Sequence, residues 1–349
     1  MEPVGVIGWF EDIGLRDRAE VGGKGGSLGE LTRAGIAVPP GFVVRTQAFE
    51  RFIASLECES PVRACVEALR PDDLDGIRAC AMALRARVCA APLSGELSAV
   101  LTTAHGQLCD RAGQADVAVR SSATTEDASD ASFAGLQDTY LWVGDAQRML
   151  ERLRACWASL YSVESISYRR HRGIDEREVA MAVVVQAMVD SRAAGVMFTR
   201  SPTTGDRSVV TIEGAWGLGS AVVGGEVTPD RWVLGKITGE ISVREISDKH
   251  VEHRRAREGG VETVEVDDAR RREPCLVDAQ LEQLRQVARQ VERHYGCPQD
   301  IEWAFDARGH LMLLQSRPET VWSAKESAPA ARATADPLSH VMSIFGGRR

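Results

Sequence analysis

Along residues 48–112 apolar positions fall three and four apart in AFERFIASL, PVRACVEAL and LDGIRACAMALRARVCA, a spacing that predicts successive helices. From Asp116 the rhythm changes. DVAVRSS and TYLWV read as strands on either side of the small-residue loop ATTEDASDASFAG, and a helical stretch follows from about 146 to 171. EVAMAVVVQAMV is apolar at nearly every position and predicts a buried strand running into a connection. Beyond 193 the pattern is β-rich: AGVMFT and SVVTIE flank the turn cluster RSPTTGD, and RWVLGKITGEISVREI is a second hairpin with Thr-Gly at its tip. Residues 249–275 are charged and irregular, which predicts an exposed excursion. Asp278 is expected to cap a helix that carries Leu281, Leu284, Val287, Ala288 and Val291 on one face and stops at Gly296. QDIEWAFDARGHLMLLQSRP, residues 299–318, is a closing hairpin with its turn at Asp306 to Gly309. Near the start, residues 5–50 mix short strands with one helix, in which Leu28, Leu31 and Ala34 share a face and Gly35 is the stop.

At 349 residues the chain is too long for one small core, so two or three packed units are expected. The predicted division is 1–190, 191–322 and an Ala/Pro/Ser-rich linker or docking arm over 323–349, in an α+β (α/β) class. There is no internal repeat. With 44% hydrophobic and 26% charged residues and a net charge of −8, the composition is that of an ordinary soluble domain and gives no sign of a nucleic-acid surface. The first residues lack the charged and apolar regions of a signal peptide, and no apolar run reaches membrane-spanning length. The eight cysteines form neither CxxC pairs nor zinc spacing, which fits scattered reduced thiols and a cytoplasmic location.

Polar residues inside the closing hairpin change this picture. Alternation puts Asp300, Glu302 and Gln315 on one face, with Glu302 opposite Leu313 or Gln315 depending on the turn. Two carboxylates and an amide oxygen are hard ligands that suit Mg²⁺ holding a polyphosphate, and Arg317 on the same face could grip a phosphate. The same pattern also suits a solvated face with an ordinary ion pair. In VGGKGGSLGEL, Lys24 sits among glycines just before the predicted helix, where backbone N–H groups and a helix N-terminus favour an anion; a flexible surface turn is the plainer alternative. Arg120 ends an apolar strand and could project into a cleft, and the loop with Ser132 and Gly135 could close over phosphates. At the end of the buried strand, Gln186, Met188 and Val189 could read an adenine edge through free backbone groups, or simply pack in the core. EGAWGLGSAVVGGEVTPDRW holds five glycines, implying close backbone approach, with Trp216 and Trp232 expected in the core or at its rim.

The order of these motifs carries more than any one of them. Lys-in-glycines, VRSSATTED…SFAG, GVMFTRSPTTGD, WGLG…VVGGEVTPDR and QDIEWAF…LQSRPET together resemble the nucleotide-binding domain of the phosphoenolpyruvate synthase / pyruvate phosphate dikinase / rifampin phosphotransferase family, over about residues 5–322. The resemblance implies an ATP-grasp fold with ATP and Mg²⁺ between two subdomains. It implies that Lys24, Arg120 and Arg317 contact phosphates, that Glu302 and Gln315 hold Mg²⁺ with Asp300 nearby, that Gln186 to Val189 meet the adenine, and that Ser132 to Gly135 form the lid. Two positions depart from the family: Ser220 stands where a Glu usually follows WGLG, and Leu136 where a Gln often follows SFAG. The family's phosphorylated histidine has no counterpart here, since His340 in PLSHVM lacks the glycine-rich surroundings. The chain therefore resembles the stand-alone ATP-binding subunit of phenylphosphate synthase-type systems. The expected reaction passes the β-phosphoryl of ATP to a histidine on a partner subunit, which phosphorylates a phenolic compound or pyruvate; a nucleotide-binding scaffold without turnover is the rival class.

Overall fold

A computed structural model describes residues 5–124, 138–320 and 322. Two antiparallel sheets divide the chain. The first is built from β1 (Ile7–Trp9), β2 (Gly41–Val44), β3 (Val117–Ala123), β4 (Thr139–Val143) and β5 (Met181–Ala187), in the order β1-β2-β5-β3-β4. The second is built from β6 (Ser191–Phe198), β7 (Val209–Trp216), β8 (Asp230–Gly235), β9 (Ile241–Glu245), β12 (Gln299–Asp306) and β13 (Leu311–Pro318), in the order β13-β12-β6-β7-β8-β9; β10 (Val251–Arg255) and β11 (Val261–Glu265) form a separate hairpin. Both lobes mix helix and sheet, in line with the expected α+β (α/β) class and two-lobed arrangement.

The all-apolar run of β5 has a clear physical reason: both of its faces are covered. Val183 and Val185 point into a core shared with the helices α2 (Thr46–Glu57), α4 (Leu74–Ala90), α5 (Gly95–Ala112), α6 (Ala146–Ser159) and α7 (Val163–Arg172), with the short α3 (Arg63–Glu67) at its edge. Ala182 and Val184 point the other way, to Val21 and Leu28 of α1 (Arg18–Arg33). In β2 the same alternation sends Phe42 and Val44 to the helical side and Val43 to α1. Three residues beyond Leu28, Leu31 lies in the core of the second lobe, with Ile212, Trp303 and the apolar face of α9 (Asp278–Tyr295), the helix that follows the one-turn α8 (Ser220–Val223). Helix α1 is thus packed into both lobes at once.

Several expectations change in detail. The glycines around Lys24 lie inside α1 rather than before it; the helix breaks at Gly22, whose φ of 71° and ψ of 177° suit glycine alone, and resumes at once. Residues 249–275 are exposed over most of their length, as expected, but they are not irregular: they include β10–β11, and Lys249, Glu252 and His253 are buried. Asp278 is the first residue of α9, not its cap; the Val277 N–H is met by the Gln280 side chain, and Gly296 ends the helix in the left-handed conformation as expected. Trp216 and Trp232 are both core residues. All eight cysteines are free thiols, and no helix among the described residues is long and apolar enough to cross a membrane. Ser132, Gly135 and Leu136 of the expected lid, and residues 323–349 with His340, lie outside the described residues.

Candidate active site

The closing hairpin settles its own register. Four residues connect β12 to β13, with Gly309 at φ 85°, and Phe305, Ala304 and Trp303 pair with Leu311, Met312 and Leu313. Leu314 is then skipped as a bulge, so that Glu302 faces Gln315 and Asp300 faces Arg317. The bulge does two things. It keeps Glu302 and Gln315 side by side on the cleft face, and it turns the Leu314 carbonyl out of the ladder.

Arg120, at the centre of β3 in the other lobe, fills that arrangement. One of its terminal nitrogens donates to the Leu314 carbonyl at 2.8 Å; the other donates to Glu302 Oε2 at 3.0 Å and to Gln315 Oε1 at 2.8 Å. Arg120 is 8% exposed, and its Nε has no partner among the described residues. A single cationic nitrogen therefore sits within 3 Å of two oxygens that the sequence marks as cation ligands. This tests the fit of Mg²⁺ directly: the donor set is hard, the two oxygens converge on one point, and one carboxylate plus phosphates and water is a usual Mg²⁺ environment. No cluster of three or more His, Cys, Asp or Glu side chains suited to a metal occurs among the described residues, so nucleotide oxygens would have to complete the sphere.

Asp300 and Arg317 form the next rung, with Arg317 Nε 3.4 Å from Asp300 Oδ2. Burial pushes the Asp300 carboxyl up to about 6, against the pull of Arg317. Lys24 does not line the cleft. It is buried on α1 beside it: the Gly25 N–H donates to Ser122 Oγ at 3.1 Å, and the Ser27 hydroxyl donates to the Ser316 carbonyl at 2.6 Å. Those contacts set the Lys24 turn against the strands that bear Arg120 and Gln315. The glycine-flanked helix start thus meets a serine hydroxyl in this structure.

A cleft of about 200 Å³ opens between the lobes, lined by Arg120, Gln186, Met188, Val189 and Glu302 among the expected residues. Its wall includes a small apolar cluster in which Ala118, Trp142 and Met188 of the first lobe meet Leu218 of the second, with Leu141 against it. Such a wall suits a flat apolar ring. Backbone reading of an adenine edge needs correction at Met188, whose N–H donates to the Asp116 carbonyl at 3.0 Å and whose carbonyl accepts from the Gln114 side chain. Gln186 Nε2 donates to the Pro39 carbonyl at 3.4 Å. Met188 therefore offers the cleft its side chain rather than its backbone.

Sequence reasoning missed Gly195, Leu218, Gly219, Ser220 and Trp303 as lining residues. The glycine-rich stretch was the available signal, and it divides into two kinds. Gly214 makes room for the Trp303 ring and Gly217, at φ 73°, for the His253 carbonyl, so both serve packing; Gly219 lies at the cleft itself.

Comparison with known proteins agrees with this geometry. Residues 18–336 match the family model described as pyruvate phosphate dikinase, AMP/ATP-binding domain. The chain is 40% identical over 316 residues to a probable phosphoenolpyruvate synthase of Methanothermobacter thermautotrophicus, covering 90% of this chain and 46% of that protein. It is 42% identical over 312 residues to a rifampicin phosphotransferase of Streptomyces sp, covering 89% and 35%. To the phosphoenolpyruvate synthase of Pyrococcus furiosus it is 38% identical over 368 residues, covering 94% and 45%. The chain thus spans less than half the length of each of these relatives.

Proposed function

The chain belongs to the pyruvate phosphate dikinase AMP/ATP-binding domain family, and on that premise we propose that it binds Mg²⁺–ATP in the interlobe cleft and delivers the β-phosphoryl group to a histidine on a partner subunit. The observation that carries this reading is the convergence of Arg120 on Glu302 and Gln315 across the two lobes. Bound Mg²⁺ would neutralise phosphate charge, with Glu302 and Gln315 as its protein ligands and Asp300 nearby. Arg120, released from those oxygens, would turn its guanidinium to the phosphates, with Arg317 and Lys24 adding positive charge beside it. The apolar wall of Met188, Leu218 and Leu141 would hold the adenine, with Gln186 and Val189 at its edge, and keep water from the reacting groups. Catalysis in this chain would be positioning and charge stabilisation, with the nucleophile supplied from outside. After attack at the β-phosphorus, AMP would leave, and hydrolysis of the diphosphoryl group would release the γ-phosphate as inorganic phosphate.

The final acceptor proposed is an oxygen on an unsaturated carbon, as in the enolate of pyruvate or in a phenol. Relatives named phosphoenolpyruvate synthase support pyruvate; a phenolic acceptor is the other arm of the test. Purified chain would be incubated with Mg²⁺, [β-³²P]ATP and candidate histidine-bearing polypeptides, then offered pyruvate or phenols. AMP formation and acid-labile label on the added polypeptide are expected. ADP as the product would refute the dikinase chemistry, label on this chain would refute the partner, and tight ATP binding without turnover would favour a nucleotide-binding scaffold.

A further inference from the structure

Ser220 lines the cleft, yet its hydroxyl is tied to a chain of polar groups that runs away from it. Ser220 Oγ lies 2.8 Å from His253 Nδ1, and His253 Nε2 lies 3.1 Å from Glu226 Oε2. His253 is buried, while the Glu226 side chain is half exposed at the far end. The backbone fixes the arrangement: the Leu218 N–H donates to the His253 carbonyl at 3.0 Å, and Gly217 bridges to His253 where any Cβ would collide with that carbonyl. Ser220 is therefore held by its side chain on the same residue that clamps the main chain at Gly217 and Leu218 just before it.

The polarity of this chain follows from its exposed end. An ionised carboxylate only accepts, so Glu226 places the proton of a neutral imidazole on Nε2. Nδ1 is then an acceptor, and the Ser220 hydroxyl donates to it. What Ser220 presents to the cleft is its oxygen lone pairs. A lone-pair acceptor at that point repels phosphate oxygens and welcomes a neutral hydroxyl.

We propose that Ser220, oriented by His253 and Glu226, accepts a hydrogen bond from a ribose hydroxyl of the bound nucleotide and sets a preference for ribonucleotides over deoxyribonucleotides. The inference rests on the cleft holding ATP, as proposed above. Ser220 is the group that touches the ligand; His253 and Glu226 act through it as positioning residues.

The test is calorimetric titration of the full chain, in Mg²⁺, with ATP, 2′-deoxy-ATP, 3′-deoxy-ATP and inosine triphosphate. The wild-type chain is expected to bind ATP about 3- to 10-fold more tightly than one of the two deoxy analogues, the range of a single neutral hydrogen bond. Ser220→Ala should bind ATP as weakly as that analogue and lose the discrimination, and Ser220→Thr should restore it. Glu226→Ala, an exposed change that leaves the fold alone, should reduce the preference without abolishing ATP binding. An unchanged preference in Ser220→Ala overturns the inference while leaving the ATP reading intact; absence of heat with any nucleotide overturns both. Lost discrimination against inosine triphosphate would move the contact to the base and overturn it. So would radiolabel from [γ-³²P]ATP retained by the denatured wild-type chain but not by Ser220→Ala, since the hydroxyl would then be a phosphoryl acceptor.

Discussion

Two buried arginines in the same lobe make opposite use of their charge. Arg169, on α7, is 1% exposed and finds everything within ten residues: Nε and one terminal nitrogen bind Glu176 at 2.9 and 3.1 Å, and the other binds the Leu160 carbonyl and Ser165 Oγ at 2.7 Å. Arg120 reaches almost two hundred residues along the chain, into the other lobe, and leaves its Nε without a partner among the described residues. The first pattern is saturated and local, as a group that never moves should be. The second shares one nitrogen between two oxygens, one of them on a side chain that is 35% exposed, so its bonds can be exchanged for bonds to a ligand. Burial alone does not separate a structural charge from a functional one; the completeness and locality of its hydrogen bonding does.

The largest effect that would break this contrast is on stability. Arg169→Ala leaves Glu176 charged, buried and alone, and should cost about 3–5 kcal/mol in denaturant unfolding. A loss under 1 kcal/mol would mean the pair is not structural. Arg120→Ala should cost under about 1 kcal/mol in stability, because the released Glu302 reaches water, and both Arg120→Ala and Glu302→Ala should lower AMP formation about 10²- to 10³-fold. Lys24→Ala should fall on the same side of the divide, losing activity with the fold intact. An intermediate case is Gly22→Ala. Its φ of 71° and the nearby Ser122 carbonyl leave no room for a methyl, so it should lose about 1–3 kcal/mol and also disturb the strand that carries Arg120.

The smallest effect is a gain. Asp300 is held near 6 in the folded state, above its ordinary value of 3.8, so the folded chain favours the protonated form. Stability from this residue is fully present below about pH 4 and is lost as pH rises through 6. Asp300→Asn should therefore match the wild type at pH 4 and exceed it by about 1–2 kcal/mol at pH 7 in the absence of nucleotide. Equal stabilities across that range would place Asp300 in a wetter setting than the structure gives it.

Much of the fold was legible because its patterns are local. The helical spacing of residues 48–112, the hairpin around RSPTTGD and the apolar β5 run each declare themselves within a dozen residues. The order of the short motifs disclosed the family. Other features depended on partners far along the chain. Most of the stretch 249–275 is exposed, as its charge suggests, yet Lys249 is buried against Asp230 at 2.6 Å and Glu252 against Arg270 at 3.1 Å. The register of the closing hairpin could not be decided without the bulge at Leu314, and Arg120 has a use for that carbonyl only once the lobes meet. Gln114, two residues before the predicted strand DVAVRSS, gives no local sign that it claims the Met188 carbonyl.

Helix α1 has Leu28 in one core and Leu31 in the next, one turn apart. It acts as an axle: the lobes cannot slide or separate along that side without emptying a core. The β10–β11 hairpin ties the lobes at a second place, with Arg255 on Asp116 at 2.8 Å and Arg148 donating to the Glu258 carbonyl at 3.1 Å. The strand that bears Arg255 also carries His253, so this second tie is coupled directly to Ser220.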